Sequence, residues 1–256
     1  MKLLVQSDDY GITPAVSSGI LYGIEHGIVR NTGLFVNMEW APMVVEWIRP
    51  YLDKICFGID LNLSAGCPVC AYNEVKSLCQ NNEMFMTSKM HRQAENAKPM
   101  LYEEILKEYH AQIDRFIELV GKKPGYLHGH AYRNEDTDKA MSECSKHYEI
   151  PISSEILKEK GVKCNPMSWY PMQKEYDSVL DIDTVSYFVN DVNGYLDSDI
   201  SFILTHCGYV DRELFQLSSY TLLRTKDLEA MTSEEVKGWV IKNNIELITY
   251  YDLQKL

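Results

Sequence analysis

The chain alternates short apolar runs with longer segments whose apolar residues recur every three or four positions. "KLLVQ" (2–6), "NTGLFVNM" (31–38), "ICFGIDLNL" (55–63), "YLHGHA" (126–131), "DISFILTHCG" (199–208) and "IELITYYDL" (245–253) read as strands. Between them lie helical patterns. The first, "AVSSGILYGIEHGIV", follows Thr13 as N-cap and Pro14 at the first helical position. Others span 41–52, 135–148 and 233–243. The clearest covers 99–125, where Ile105, Tyr109, Ile113 and Phe116 share a face and Gly121 and Pro124 supply the stop.

Strands alternating with helices predict a parallel sheet, either closed into a barrel or open and doubly wound. Residues 64–98 break the rhythm with Gly66, Pro68 and the polar "QNNE", and read as a long loop excursion within a single domain spanning 1–256. Loops of that length in a compact fold are often functional.

Both α/β architectures place chemistry at the C-terminal ends of the strands. There the sequence sets Asp8 and Asp9, then Asp60 and Asn62, then His128 and His130, then His206. Adjacent carboxylates repel, so Asp8 and Asp9 each require a cation, a metal, a helix N-terminus or a proton. His128 and His130, two apart in a strand, share a face. Imidazole with carboxylates suits a divalent metal. The plainer alternatives are an Asx turn at Asp9, a turn acid at Asp60 and a core histidine at His206. The apolar neighbours of Asp60 argue for burial, where an unpaired charge is costly. His26, His91, His110 and His147 have no partner pattern and read as surface or structural.

A formal net charge of −12 disfavours nucleic acid and anionic membranes as partners. No apolar run is long enough to span a bilayer. Seven cysteines and no visible export signal predict reduced thiols in a cytoplasm. Cys67 and Cys70 have C-x-x-C spacing, but no second pair completes a zinc set, so they read as loop thiols. Trp169 and Tyr170, in the irregular "NPMSWYP", are candidates to line a cleft.

The opening "LLVQSDDYGITPAVSSGILYGIEHGIVRNTGLFVNM" resembles the signature of the YdjC-like carbohydrate deacetylases. "GIDLNLSAGCPV", "YLHGHAYRN", "LTHCGYVD" and "SSYTLLRTKDLEAMTSEEV" resemble further segments of that family in its order. The resemblance implies a distorted TIM-like (β/α) barrel that removes N-acetyl groups from small sugars such as chito-oligosaccharides, using one divalent cation to activate water. Carried over, Asp9, Asp60 and His128 would hold the metal. Asp8 would be the general base and His206 the acid. His130, Asn62, Tyr209 and Arg224 would contact substrate, and a homodimer is expected.

The sequence departs from the family at two places. Asp60 replaces a metal-binding histidine, which makes the site harder and favours Mg²⁺ or Mn²⁺ over Zn²⁺, with Co²⁺ also an option. Tyr126 and Tyr132 replace an acid and a histidine around the H-x-H pair. The alternatives are a weakened or inactive sugar-binding or regulatory homologue, and a hydrolase of another amide or ester.

Overall fold

In the computed structural model, residues 1–94, 99–164, 169–171 and 176–256 are described. Seven strands form one sheet: β1 (Lys2–Tyr10), β2 (Asn31–Leu34), β3 (Cys56–Leu61), β4 (Leu127–Gly129), β5 (Lys163–Cys164), β6 (Ile200–Thr205) and β7 (Glu246–Ile248). The order is β4-β3-β2-β1-β6-β5, with β7 beside the start of β1, and every pairing is parallel. Helices surround this sheet, which curves as a half-barrel; the fold is a single-domain, distorted TIM-like barrel.

Parallel strands covered by helices must be apolar on both faces, and β1 and β3 are buried over almost their whole lengths. The helices behave as their periodicity predicts. In Tyr102–Val120, Ile105, Tyr109, Ile113, Phe116 and Val120 enter the core, and Gly121 ends the helix in the left-handed conformation. Thr13 caps Pro14–His26, and Asn134 opens Glu135–Tyr148 with a capping box.

Two expectations need correction. β1 runs on through Tyr10, so Asp8 and Asp9 lie within the strand rather than beyond it. The closing "IELITYYDL" is a strand only to Ile248; Tyr250–Gln254 is helical. There Thr249 and Asp252 cap each other reciprocally, and this local hydrogen bonding overrides the strand propensity of the two tyrosines.

The 64–98 excursion, described through Ala94, is tied to the barrel by one buried acid, Glu108, and one half-buried acid, Glu104. Glu108, on the helix Tyr102–Val120, accepts the amide hydrogens of Val69 and Cys70 at 2.9 and 3.0 Å. Glu104 accepts from Ser77 N at 2.6 Å. His91 is buried, with Nε2 2.8 Å from the Leu63 carbonyl and its ring stacked on Tyr132. All seven cysteines are free; Cys67 is exposed and Cys70 half-buried.

Candidate active site at the strand ends

Asp9 has φ +74°, and the pairing register of β1 with β2 shifts between Ser7 and Tyr10. Left-handed backbone is uncommon outside glycine, though Asp tolerates it better than most residues. The consequence is chemical. Neighbouring strand residues normally point to opposite faces, yet here both carboxylates reach the same pair of histidines. Asp8 Oδ2 lies 3.1 Å from His128 Nε2, and Asp9 Oδ1 lies 2.9 Å from His130 Nδ1.

Each carboxylate has a different partner set. Asp8 Oδ1 accepts from Gln6 Nε2 at 2.5 Å, and Gln6 Oε1 in turn accepts from the Tyr250 hydroxyl. Burial pushes the Asp8 carboxyl up, but His128 more than offsets this, with help from His206, and holds it below the usual range. His128 responds reciprocally. Burial alone would lower it, but Asp8 raises it to about 9, while Ser153 sits 2.9 Å from its other nitrogen.

Asp9 Oδ2 receives Arg224 Nη2 at 2.6 Å, and both side chains are essentially inaccessible. Burial opposes ionisation, but His130 and Arg224 together keep Asp9 well below the ordinary carboxylate range. Arg224 also donates Nε to the Tyr220 carbonyl. It therefore acts from within, and the expected direct substrate contact is corrected to an ion pair with Asp9.

Asp60 pairs with His128 in the β3–β4 register. Its Oδ2 accepts the Asp9 amide at 2.8 Å, while Oδ1 is buried with no hydrogen-bond partner. A Cβ on Gly33 would fall 1.9 Å from Oδ1, so glycine at that position makes the carboxylate's seat. Burial and then the Asp8 charge push the Asp60 carboxyl well above its ordinary value. Tyr126 is fully buried beneath Gly58, with its hydroxyl also lacking a hydrogen-bond partner.

His206 follows β6. Its backbone amide donates to Asp227 Oδ2 at 2.7 Å, and its ring lies 4.9 Å from Tyr220. Tyr220 donates to the same Asp227 oxygen. Burial raises the Asp227 carboxyl, and His206 partly offsets that. The Asp227–Tyr220 support was not read from the sequence. Both Arg224 and Asp227 project from the helix Leu223–Thr232, whose buried face mixes these charges with Leu228 and Met231 and so carries little hydrophobic periodicity.

The remaining expected residues sit elsewhere. Asn62 is fully buried, and its amide closes its own loop through Ser64 N, Ala65 N, Ala65 O and Asn37, which corrects the substrate-contact expectation. Tyr209 is exposed, with its ring 6.5 Å from that of Tyr22. Trp169 and Tyr170 are buried against each other and Phe188 rather than open to a cleft; residues 165–168 of that motif lie outside the described ones.

The cluster's donors match a divalent ion by type: the unpartnered Asp60 oxygen, the Asp8 carboxylate and the His128 imidazole. Asp8 is paired with His128, so Asp60 is the carboxylate without a counter-charge of its own. Asp9 is already neutralised by Arg224. Among the described residues, no three His, Cys, Asp or Glu side chains stand at ready-made ligand spacing.

A parallel half-barrel with acids and histidines gathered at the C-terminal strand ends defines an enzyme-like α/β barrel site. The chain belongs to the YdjC-like family, whose profile it matches over residues 2–242. Among curated relatives, a carbohydrate deacetylase of Clostridium beijerinckii is 30% identical over 99% of this chain and all of its own. Carbohydrate deacetylase 2 of Listeria innocua is 28% identical over the full length of both. Among solved structures, an Enterococcus faecalis protein described for cellobiose-phosphate cleavage aligns over 98% of each chain with a TM-score of 0.81 and 22% identity, and shares the fold. No helix among the described residues is long and apolar enough to cross a membrane.

Proposed function

We propose that this protein is a hydrolase that removes the acetyl group from a small N-acetylated sugar, with chito-oligosaccharides as the substrate class. The observation that carries the reading is the convergence of Asp8, Asp60 and His128, one with an unpartnered buried oxygen, in a chain of the YdjC-like family. Asp60 and His128 would hold one divalent cation beside Asp8, with the carboxylate-rich set favouring Mg²⁺ or Mn²⁺. When bound, such an ion supplies Lewis acidity and lowers the pKa of water.

The chain's own groups supply the proton chemistry. Asp8, kept ionised by His128 and Gln6, accepts the proton of the attacking water. Arg224 and His130 fix the neighbouring Asp9, so the backbone that presents Asp8 cannot relax away from its left-handed turn. His206 is positioned through its backbone by Asp227 and gives a proton to the departing amine. Acetate and the free amino sugar are the products.

The test is acetate release from short N-acetylated chito-oligosaccharides. Chelator-stripped protein is resupplied separately with Mg²⁺, Mn²⁺, Co²⁺ or Zn²⁺. Release that depends on an ion supports the reading. Saturable sugar binding by folded protein, without acetate under any ion, would replace it with a sugar-binding role.

A further inference from the structure

The partners of Asp8 and His128 are themselves joined. Gln6, two residues before Asp8 on β1, donates Nε2 to Asp8 Oδ1 at 2.5 Å. Its Oε1 accepts from the Tyr250 hydroxyl at 2.7 Å. The Ser153 hydroxyl is in hydrogen-bonding reach of Tyr250 and lies 2.9 Å from His128 Nδ1. His128 Nε2 faces Asp8 Oδ2 at 3.1 Å, which closes a ring. Gln6, Ser153 and Tyr250 are all buried, so bulk water does not compete for these links.

The ring has a direction. Asp8 is ionised and only accepts, so Gln6 turns its amide nitrogen toward it. Gln6 Oε1 is left to accept, which commits the one hydroxyl hydrogen of Tyr250. The Tyr250 oxygen then accepts from Ser153, whose single hydrogen is committed in turn. Ser153 has only lone pairs left for His128, so Nδ1 must carry a hydrogen. In a neutral imidazole protonated at Nδ1, the free lone pair is on Nε2. The opposite arrangement, a Ser153 hydrogen on a bare Nδ1, would put the proton on Nε2 and block it as a ligand.

We propose that Gln6, Ser153 and Tyr250 are positioning residues: their one-way relay holds the His128 proton on Nδ1 and leaves Nε2 to take the cation. The inference rests on the cation seat proposed above and extends it to the groups that orient its histidine. Buried polar groups need partners in any protein, but that need is met without a common direction. Here both ends of the relay are in the cluster. Exchanging the Nε2 proton for a cation leaves every link from Nδ1 to Asp8 Oδ1 unchanged. Tyr250, the member farthest from the cluster, is firmly seated. Its backbone amide donates to Asn31 Oδ1 at 2.9 Å, and its ring lies 4.5 Å from that of Tyr126. The Thr249–Asp252 capping box fixes the start of its helix.

The experiment compares wild type, Tyr250→Phe, Ser153→Ala and the double variant, each shown to be folded by urea unfolding. Tyr250→Phe removes an oxygen that bonds neither His128 nor Asp8. In calorimetric titration, each single variant should bind Mn²⁺ about tenfold or more weakly than wild type. The double variant should bind no more weakly than Ser153→Ala, because one relay is cut twice. With a chito-oligosaccharide, kcat should fall while KM stays nearly unchanged. Wild-type affinity in either single variant, or losses that multiply in the double variant, would overturn the relay. Proton NMR of metal-free protein needs neither ion nor substrate. It should show a His128 Nδ1–H signal protected from exchange in wild type and lost in Tyr250→Phe. If wild type binds the ion but releases no acetate, deacetylation fails and Mn²⁺ affinity decides. If it binds no Mn²⁺, the cation seat fails and the spectrum alone decides. A signal that survives in Tyr250→Phe, or that wild type lacks, overturns the relay.

Discussion

Asp60 and Glu108 are both fully buried carboxylates on adjacent elements, and burial pushes both upward. Their partners separate them. Glu108 accepts three hydrogen bonds, from Val69 N, Cys70 N and Gln112 Nε2, which ties the excursion to the barrel. Asp60 has one donor for Oδ2, none for Oδ1, and two more aspartates beside it. A buried acid whose oxygens are all occupied supports structure. One left short of donors among like charges is a seat for a proton or a cation. Burial alone, or an unusual pKa alone, would have grouped the two.

The comparison can be broken in several ways. The largest effect should come from Asp8→Asn, which removes the base: acetate release should fall by about 10²–10⁴-fold, read as kcat with the activating ion present. Next comes Arg224→Met, which strands Asp9 as a buried, partly neutralised charge. Urea unfolding should show a loss of about 3–5 kcal/mol, and adding Asp9→Asn should restore part of it.

Glu108→Gln and Asp60→Asn should then move in opposite directions. Losing an acceptor for the Val69 and Cys70 amides should cost about 1–3 kcal/mol in urea unfolding, with turnover retained. Asp60→Asn should keep or raise stability, because it relieves like-charge crowding, while activity is lost. Equal behaviour of these two variants would dissolve the distinction.

The smallest effect concerns pH. Asp8 raises His128 from 6.5 to about 9. In metal-free protein this pairing therefore contributes stability in full below about pH 6.5, and the contribution is lost as pH rises through about 9. A histidine NMR titration should show the imidazolium persisting to about that pH. Asp9, held low, works at the other end: its contribution is present above its unfolded value and is lost only in acid, as pH falls through its lowered folded value.

Much of this was legible in the chain because it is carried by local pattern. The strand–helix alternation, the acids at the end of β1 and the H-x-H pair each sit within a few residues. Asp9 and Arg224 are 215 positions apart, and no spacing rule connects them. The helix that presents Arg224 shows little apolar periodicity because its inner face is partly charged. The bulge that brings Asp8 and Asp9 to one side depends on a positive φ at Asp9, a conformation that sequence permits without requiring. Asn62 misled for a related reason: a polar residue just past a strand end can serve a substrate or close its own loop, and only the geometry decides.

The most direct test of the account is a calorimetric titration of Mn²⁺ into metal-free wild-type protein and Asp60→Asn, both shown to be folded. The account predicts one ion bound per wild-type chain, with proton release as the ion displaces protons from His128 and Asp60, and loss of that binding in Asp60→Asn. Equal binding by the two proteins would contradict it and move the cation's seat away from Asp60.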